Sequence, residues 1–202
     1  MKISDKQIRE ITKGAVNIEE CSGLICFRRL NKEPSSRYSA ISEEMYAKTG
    51  ATAGVRFDFV SDTEFFKLSY RIYKGSSQKK GAFDIWVDGK LWASEGEDLD
   101  DGSRLSIETV FNKGEKHIEV YFPCLTRVEV SSVELSDGAT LFPFRNKPVA
   151  FFFGDSITQG YTSAFPSLTY VARLCRLMDW DWYKSYGAYL WQQSICWTFI
   201  LL

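Results

Sequence analysis

The 202-residue chain holds one histidine and five prolines, has no excess of either charge and no long apolar run. Each scarcity excludes something. Twenty-five Lys+Arg against 26 Asp+Glu leave a formal net charge of −1, so there is no electrostatic footprint for nucleic acid or for an anionic membrane surface. No nucleic-acid partner is expected. No stretch reaches the roughly 18 apolar residues of a membrane span, and the apolar end Ile195–Leu202 is far too short for one. The N-terminus has no basic cluster leading into an apolar core, which points away from a secretory signal and towards the cytoplasm. Cys21, Cys26, Cys124, Cys175 and Cys196 form an odd set with no C-x-x-C pair, so reduced structural thiols are expected. No Cys/His cluster stands at ligand spacing, so neither a metal nor another cofactor is expected. Chemistry that needs a histidine base has only His117 to draw on.

What is present is ordinary globular material, 45% hydrophobic and 25% charged. Its charge is spread unevenly. From Pro148 to Leu202 only six side chains are charged: Asp155, Arg173, Arg176, Asp179, Asp181 and Lys184. That shift, beside the Phe142–Pro148 stretch, suggests two units, residues 1–145 and 146–202.

The first unit reads as β. Strands are expected at Leu24–Leu30, Gly54–Val60, Phe65–Tyr73, Phe83–Val87, Leu91–Ala93, Arg104–Val110, Lys116–Phe122 and Thr126–Leu135. Val55, Phe57 and Phe59 alternate with Arg56 and Asp58, and Ile118, Val120 and Phe122 with His117, Glu119 and Tyr121, one face apolar and one polar. Asp88-Gly89 is a favoured two-residue hairpin turn. Short strands with turns every eight to twelve residues predict an antiparallel sandwich or jelly roll. Helix is expected only at Ser4–Thr12 and Ser42–Lys48.

The second unit changes period. Val149–Phe153 is a continuous apolar run, as for a strand buried on both faces of a parallel sheet. A loop, a helical pattern over Pro166–Met178 and a further strand at Trp180–Lys184 complete the opening βαβ unit of an α/β fold. The loop between strand and helix, Gly154-Asp155-Ser156-Ile157-Thr158-Gln159-Gly160, is well placed for a nucleophile. Open α/β sheets bind ligands at the carboxyl ends of their strands, and backbone N–H groups there can face a developing oxyanion. The same residues could instead do no more than cap a helix.

Val149–Gly160 resembles the first signature block of the SGNH hydrolases, also called GDSL esterases/lipases. The resemblance implies that Ser156 is the nucleophile and that its own N–H is one oxyanion donor. Asp155 would organise the loop. Tyr121–Val130, Val133–Ala139 and Gly81–Gly89 resemble parts of the β-sandwich that precedes the catalytic domain in a subgroup of these esterases, some of which deacetylate carbohydrates. Phe165–Tyr170 and the helix after it are also similar, so the resemblance covers about residues 20–189. Gly187, in Ser185-Tyr186-Gly187-Ala188, stands where the family's second block places another oxyanion donor. The third block's Asn and the final Asp-x-x-His have no counterpart.

The resemblance therefore implies a mainly β sandwich followed by the first βαβ part of a flavodoxin-like SGNH domain, truncated and weakly active or inactive by itself. Its substrate would be a carboxylic ester, with an O-acetylated carbohydrate as one candidate. His117 sits on a predicted β-domain strand and reads as an exposed or edge histidine. The segment Tyr189–Leu202 has no likeness to the family; an out-of-frame tail would read this way. Such an apolar segment is expected to pack on the sandwich, cover the unfinished sheet or pair with another copy. An alternative function is a carbohydrate-binding or interaction module. Trp86, Trp92, Tyr70 and Tyr73 would then form a stacking platform unless they are core. Asp98, Asp100 and Asp101 read as an acidic turn or a Ca²⁺ loop, and Lys79-Lys80 as a solvated hairpin.

Overall fold

Ser4 begins the chain's first helix through a reciprocal cap. Its hydroxyl accepts from the Gln7 N–H while the Gln7 carboxamide accepts from the Ser4 N–H, and α1 (Asp5–Ile11) buries Ile8 and Ile11. The computed structural model describes residues 1–30, 38–40, 42–96, 101–186 and 199–201. Among these no helix is long and apolar enough to cross a membrane.

Eleven strands follow, with α2 (Glu43–Thr49) among them. They are β1 (Thr12–Lys13), β2 (Asn17–Cys21), β3 (Leu24–Arg28), β4 (Arg56–Ser61), β5 (Phe65–Lys74), β6 (Phe83–Val87), β7 (Lys90–Glu95), β8 (Arg104–Val110), β9 (Lys116–Tyr121), β10 (Thr126–Leu135) and β11 (Phe142–Pro143). Two antiparallel sheets result, β2-β3-β10-β5-β8 and β1-β4-β9-β6-β7, with β11 added beside β4. Asp88 and Gly89 both take positive φ in the β6–β7 turn, as that dipeptide suggests. The edge strand β2 has no sequence signature. Asn-Ile-Glu-Glu-Cys does not alternate, and the strand forms by pairing with β3.

Alternate residues of the longer strands enter one core. Phe57, Ile118, Val120, Phe83 and Ile85 come from one sheet and Phe27, Phe66, Leu68, Tyr70 and Val128 from the other. Phe122 is the hub, edge-on to Phe57 at 4.8 Å, Phe83 at 5.2 Å and Phe27 at 5.3 Å between ring centres. Each such side chain removed from water contributes about 1.5–3 kcal/mol.

The polar faces of β4 and β9 are not solvated as the alternation suggests. Arg56 and Asp58 are 0% exposed and Glu119 and Tyr121 are also buried, because a second layer lies over them. That layer comprises β12 (Val149–Gly154), α3 (Ser156–Gln159), a 3₁₀ turn at Pro166–Leu168, α4 (Tyr170–Met178) and β13 (Asp181–Tyr186), with β12 and β13 parallel. Tyr121 packs into its core beside Ala150, Phe152, Val171, Cys175 and Trp182. The helix expected over Pro166–Met178 is split. Thr169 is extended (ψ 145°), and its hydroxyl accepts from Ala172 N–H to start α4.

Among the described residues, the Val149–Phe153 strand is covered on one face only. Ala150 and Phe152 are buried, whereas Phe153 is 41% exposed and Phe151 stacks on Tyr183 on the open face. β14 (Phe199–Leu201) pairs antiparallel with the other edge of β12, which places part of the tail on the sheet. The rest of that segment lies outside the described residues.

Candidate active site

The parallel strand β12 delivers the candidate nucleophile. It ends at Gly154, and Asp155 then caps α3 by accepting from the Ile157 N–H at 2.9 Å through Oδ1. Ser156 is the first residue of α3 and is partly exposed. Its N–H belongs to the helix's first turn, where the helix itself offers no acceptor. A Cβ at position 154 would lie 2.1 Å from Thr158 Oγ1, so only glycine lets Thr158 fold back beneath the strand end. There Thr158 hydrogen-bonds the Tyr170 hydroxyl at 2.9 Å. Gly160 closes the turn at φ +114°, its N–H reaching the carbonyls of Ser156 and Ile157.

The sandwich grips the segment after Ser156. Gln159 Nε2 donates to the Cys124 carbonyl, Tyr161 shares a hydrogen bond with Ser77, Lys80 Nζ donates to Ser163 O, and Ser167 N–H donates to buried Asp84 Oδ2. Lys80, Pro123, Cys124, Gly160, Phe165 and Pro166 line a shallow cleft where the loop after α3 and the 3₁₀ turn meet the sandwich. Lys184 Nζ, fully enclosed, donates to Thr169 Oγ1, and burial holds its ammonium below the usual lysine range.

His117 is not an exposed or edge residue. β9 lies between β4 and β6, and the imidazole donates from Nε2 to Asp58 Oδ1 at 2.6 Å while stacking on Phe144 at 3.7 Å. Burial would raise the Asp58 carboxyl, but hydrogen bonding from His117 and the charge of Arg56 outweigh it and hold it below the usual range. Asp58, His117 and Glu119 bring ligand-type atoms within 4.8 Å of one another. Arg56 already supplies the cation there, 3.5 Å from Asp58 and 3.7 Å from Glu119 and bonded to Asp181. A further cation would meet that guanidinium, so the cluster is read as an ion-pair network.

The four aromatics do not share a platform. Tyr70 lies in the sandwich core, Tyr73 lies under Arg127, Trp86 lies under Arg176 of α4, and Trp92 is 43% exposed beside Phe111. Tyr70 and Tyr73 belong to β5 and the tryptophans to the opposite sheet. Gly187, Asp98 and Asp100 lie outside the described residues. β13 runs to Tyr186, paired in register with Gly154. Asp101 accepts from the Lys74 N–H at 2.6 Å. Sequence reading missed Arg56, Asp84, Gln159 and Asp181 as site-shaping residues. Gln159 lay inside the Gly154–Gly160 motif, but nothing in the motif set it apart from its neighbours.

The chain superposes on SsfX3, a salicylyl-acyltransferase from a tetracycline biosynthetic pathway, with a TM-score of 0.76 and 26% identity over 87% of this chain and 50% of that one. On a GDSL-like lipase from Bacteroides ovatus the values are 0.68 and 18%, over 89% and 55%. The chain shares the fold of these proteins over the part it spans. A family two carbohydrate esterase from Cellvibrio japonicus is also similar, with a TM-score of 0.52 and 14% identity over 92% of this chain and 51% of that one. The chain thus spans about half the length of these proteins. No protein-family model matches it, and no curated protein matches it.

Proposed function

We propose that the chain carries the nucleophile of a serine-dependent acyl-transfer enzyme acting on a carboxylic ester. The observation behind the reading is the placement of Ser156 on the sharp turn from β12 into α3, in a fold shared with a GDSL-like lipase and an acyltransferase. Ser156 Oγ would attack the ester carbonyl carbon while its proton passes to a base. The carbonyl oxygen would become the oxyanion facing the Ser156 N–H, with Gly187 as a second donor. Collapse expels the alcohol, which takes up the proton, and leaves an acyl-serine. Water then releases the acid, or a second alcohol takes the acyl group. An O-acetylated carbohydrate is one candidate ester.

His117 gives its Nε2 to Asp58 and lays its ring on Phe144, and among the described residues it makes no contact with Ser156, so we do not assign it as the base. A serine without a base is a weak nucleophile, so turnover by this chain is slow. p-Nitrophenyl acetate tests this. Weak hydrolysis that falls further in Ser156→Ala supports the reading, and equal rates for the two proteins contradict it. Fast hydrolysis abolished in Ser156→Ala would keep the nucleophile and overturn the missing base.

A further inference from the structure

α3 is a single turn of four residues. An isolated turn of that length has no stability of its own, because nucleating a helix fixes several residues for one hydrogen bond. The capping bond of Asp155 and the Thr158–Tyr170 bond hold the turn from its own segment, and a further anchor comes from the sandwich. The Gln159 side chain is 4% exposed, and its Nε2 donates to the Cys124 carbonyl at 3.3 Å across 35 positions of sequence. The next residue, Gly160, packs so tightly that a Cβ would lie 3.0 Å from Cys124 Cβ and Sγ and 2.8 Å from Thr169 Cγ2. The N–H groups of Gly160 and Tyr161 in turn hold the Ser156 carbonyl at 3.1 and 2.8 Å. An unbroken path therefore runs from the sandwich carbonyl to the backbone of Ser156.

A leucine or methionine would fill the same space. The carboxamide adds a donor for a buried carbonyl, which costs free energy when left without one.

We infer that Gln159 is a positioning residue, and that its bond to the Cys124 carbonyl fixes the turn on which Ser156 sits, so that the sandwich sets the aim of the nucleophile. The inference rests on the reading of Ser156 as the nucleophile. Asp155 shapes the start of the turn and Gln159 anchors its end. A sandwich that only tethered a substrate would need no such bond.

The test uses the full chain with Gln159→Met and Gln159→Glu, read by amide hydrogen exchange and by labelling of Ser156 with a fluorophosphonate. At neutral pH both variants should exchange the 156–161 amides about tenfold faster than the parent, with β9 and β10 unchanged and labelling slowed in parallel. At about pH 4, where a carboxyl is largely protonated and its O–H can donate, Gln159→Glu should return to within about threefold of the parent, while Gln159→Met should not. Unchanged exchange in Gln159→Met, equal acceleration along the whole chain, or the same acid behaviour in both variants would overturn the inference. If the parent's Ser156 takes no label at all, the nucleophile reading fails. The exchange pattern still decides whether Gln159 anchors the turn.

Discussion

Arg56 and Asp181 are 125 positions apart in sequence and form a buried, hydrogen-bonded ion pair. The guanidinium lies 3.8 Å over the Trp182 ring and also faces Asp58 and Glu119, so one side chain joins β4, β9 and β13. Removing one member of a buried charge group strands the others away from water. Arg56→Met leaves three carboxylates enclosed without their central cation and should cost about 3–5 kcal/mol in urea unfolding. Asp181→Asn keeps the volume and a hydrogen-bond acceptor and should cost less. An equal or reversed order would show that the network does not centre on Arg56.

Asp58 should make the fold acid-sensitive. Its carboxyl is held below the usual range in the folded chain, so its contribution is present above the unfolded-state value of about 4 and is lost as pH falls through the folded value. The urea midpoint should therefore drop on acidification below about pH 4, and the Asp58→Asn protein should show a shallower drop. Equal slopes would exclude Asp58 as the source.

Gly154→Ala should destabilise the strand end by about 1–3 kcal/mol, because the new methyl meets Thr158 Oγ1 and Cβ. Adding Thr158→Ala removes the nearer of those atoms, so the double variant should lose less than the sum of the two single losses. Simple additivity in thermal or urea unfolding would contradict the close approach.

Thiol reactivity should be graded. Cys21 is only partly buried, while Cys26, Cys124 and Cys175 are enclosed, and burial pushes the Cys175 thiol up to about 12. In a peptide-resolved alkylation time course on the native chain, Cys21 should react first of these four. Early modification of Cys124 would show that the contact between the Gly160 turn and the sandwich opens readily.

Much of the fold was legible because strands such as Phe65–Lys74 and Thr126–Leu135 carry apolar residues on one face, and period two is a local signal. β2 was not, since Asn17–Cys21 is held by its partner strand rather than by its own pattern. The covered face of β4 and β9 was missed for another reason. Arg56, Asp58, His117 and Glu119 look like a solvent face in one dimension, and only their partners on residues 144 and 181 make burial affordable. Ser156 stood out through the likeness of Val149–Gly160 to a signature block; the contiguous glycines, aspartate and serine alone also fitted a plain helix cap. Gln159 could not be separated from its neighbours, since its role depends on a carbonyl in a distant loop.

Reaction of the intact chain with a fluorophosphonate, followed by peptide mapping, bears most directly on the central claim. On the proposed reading, a hydroxyl at the start of the α3 turn, beside its own first-turn N–H, should outpace ordinary surface serines. One adduct on Ser156, absent from Ser156→Ala, is the predicted result. Labelling spread over other serines, or Ser156 no more reactive than Ser163, would contradict its assignment as the nucleophile.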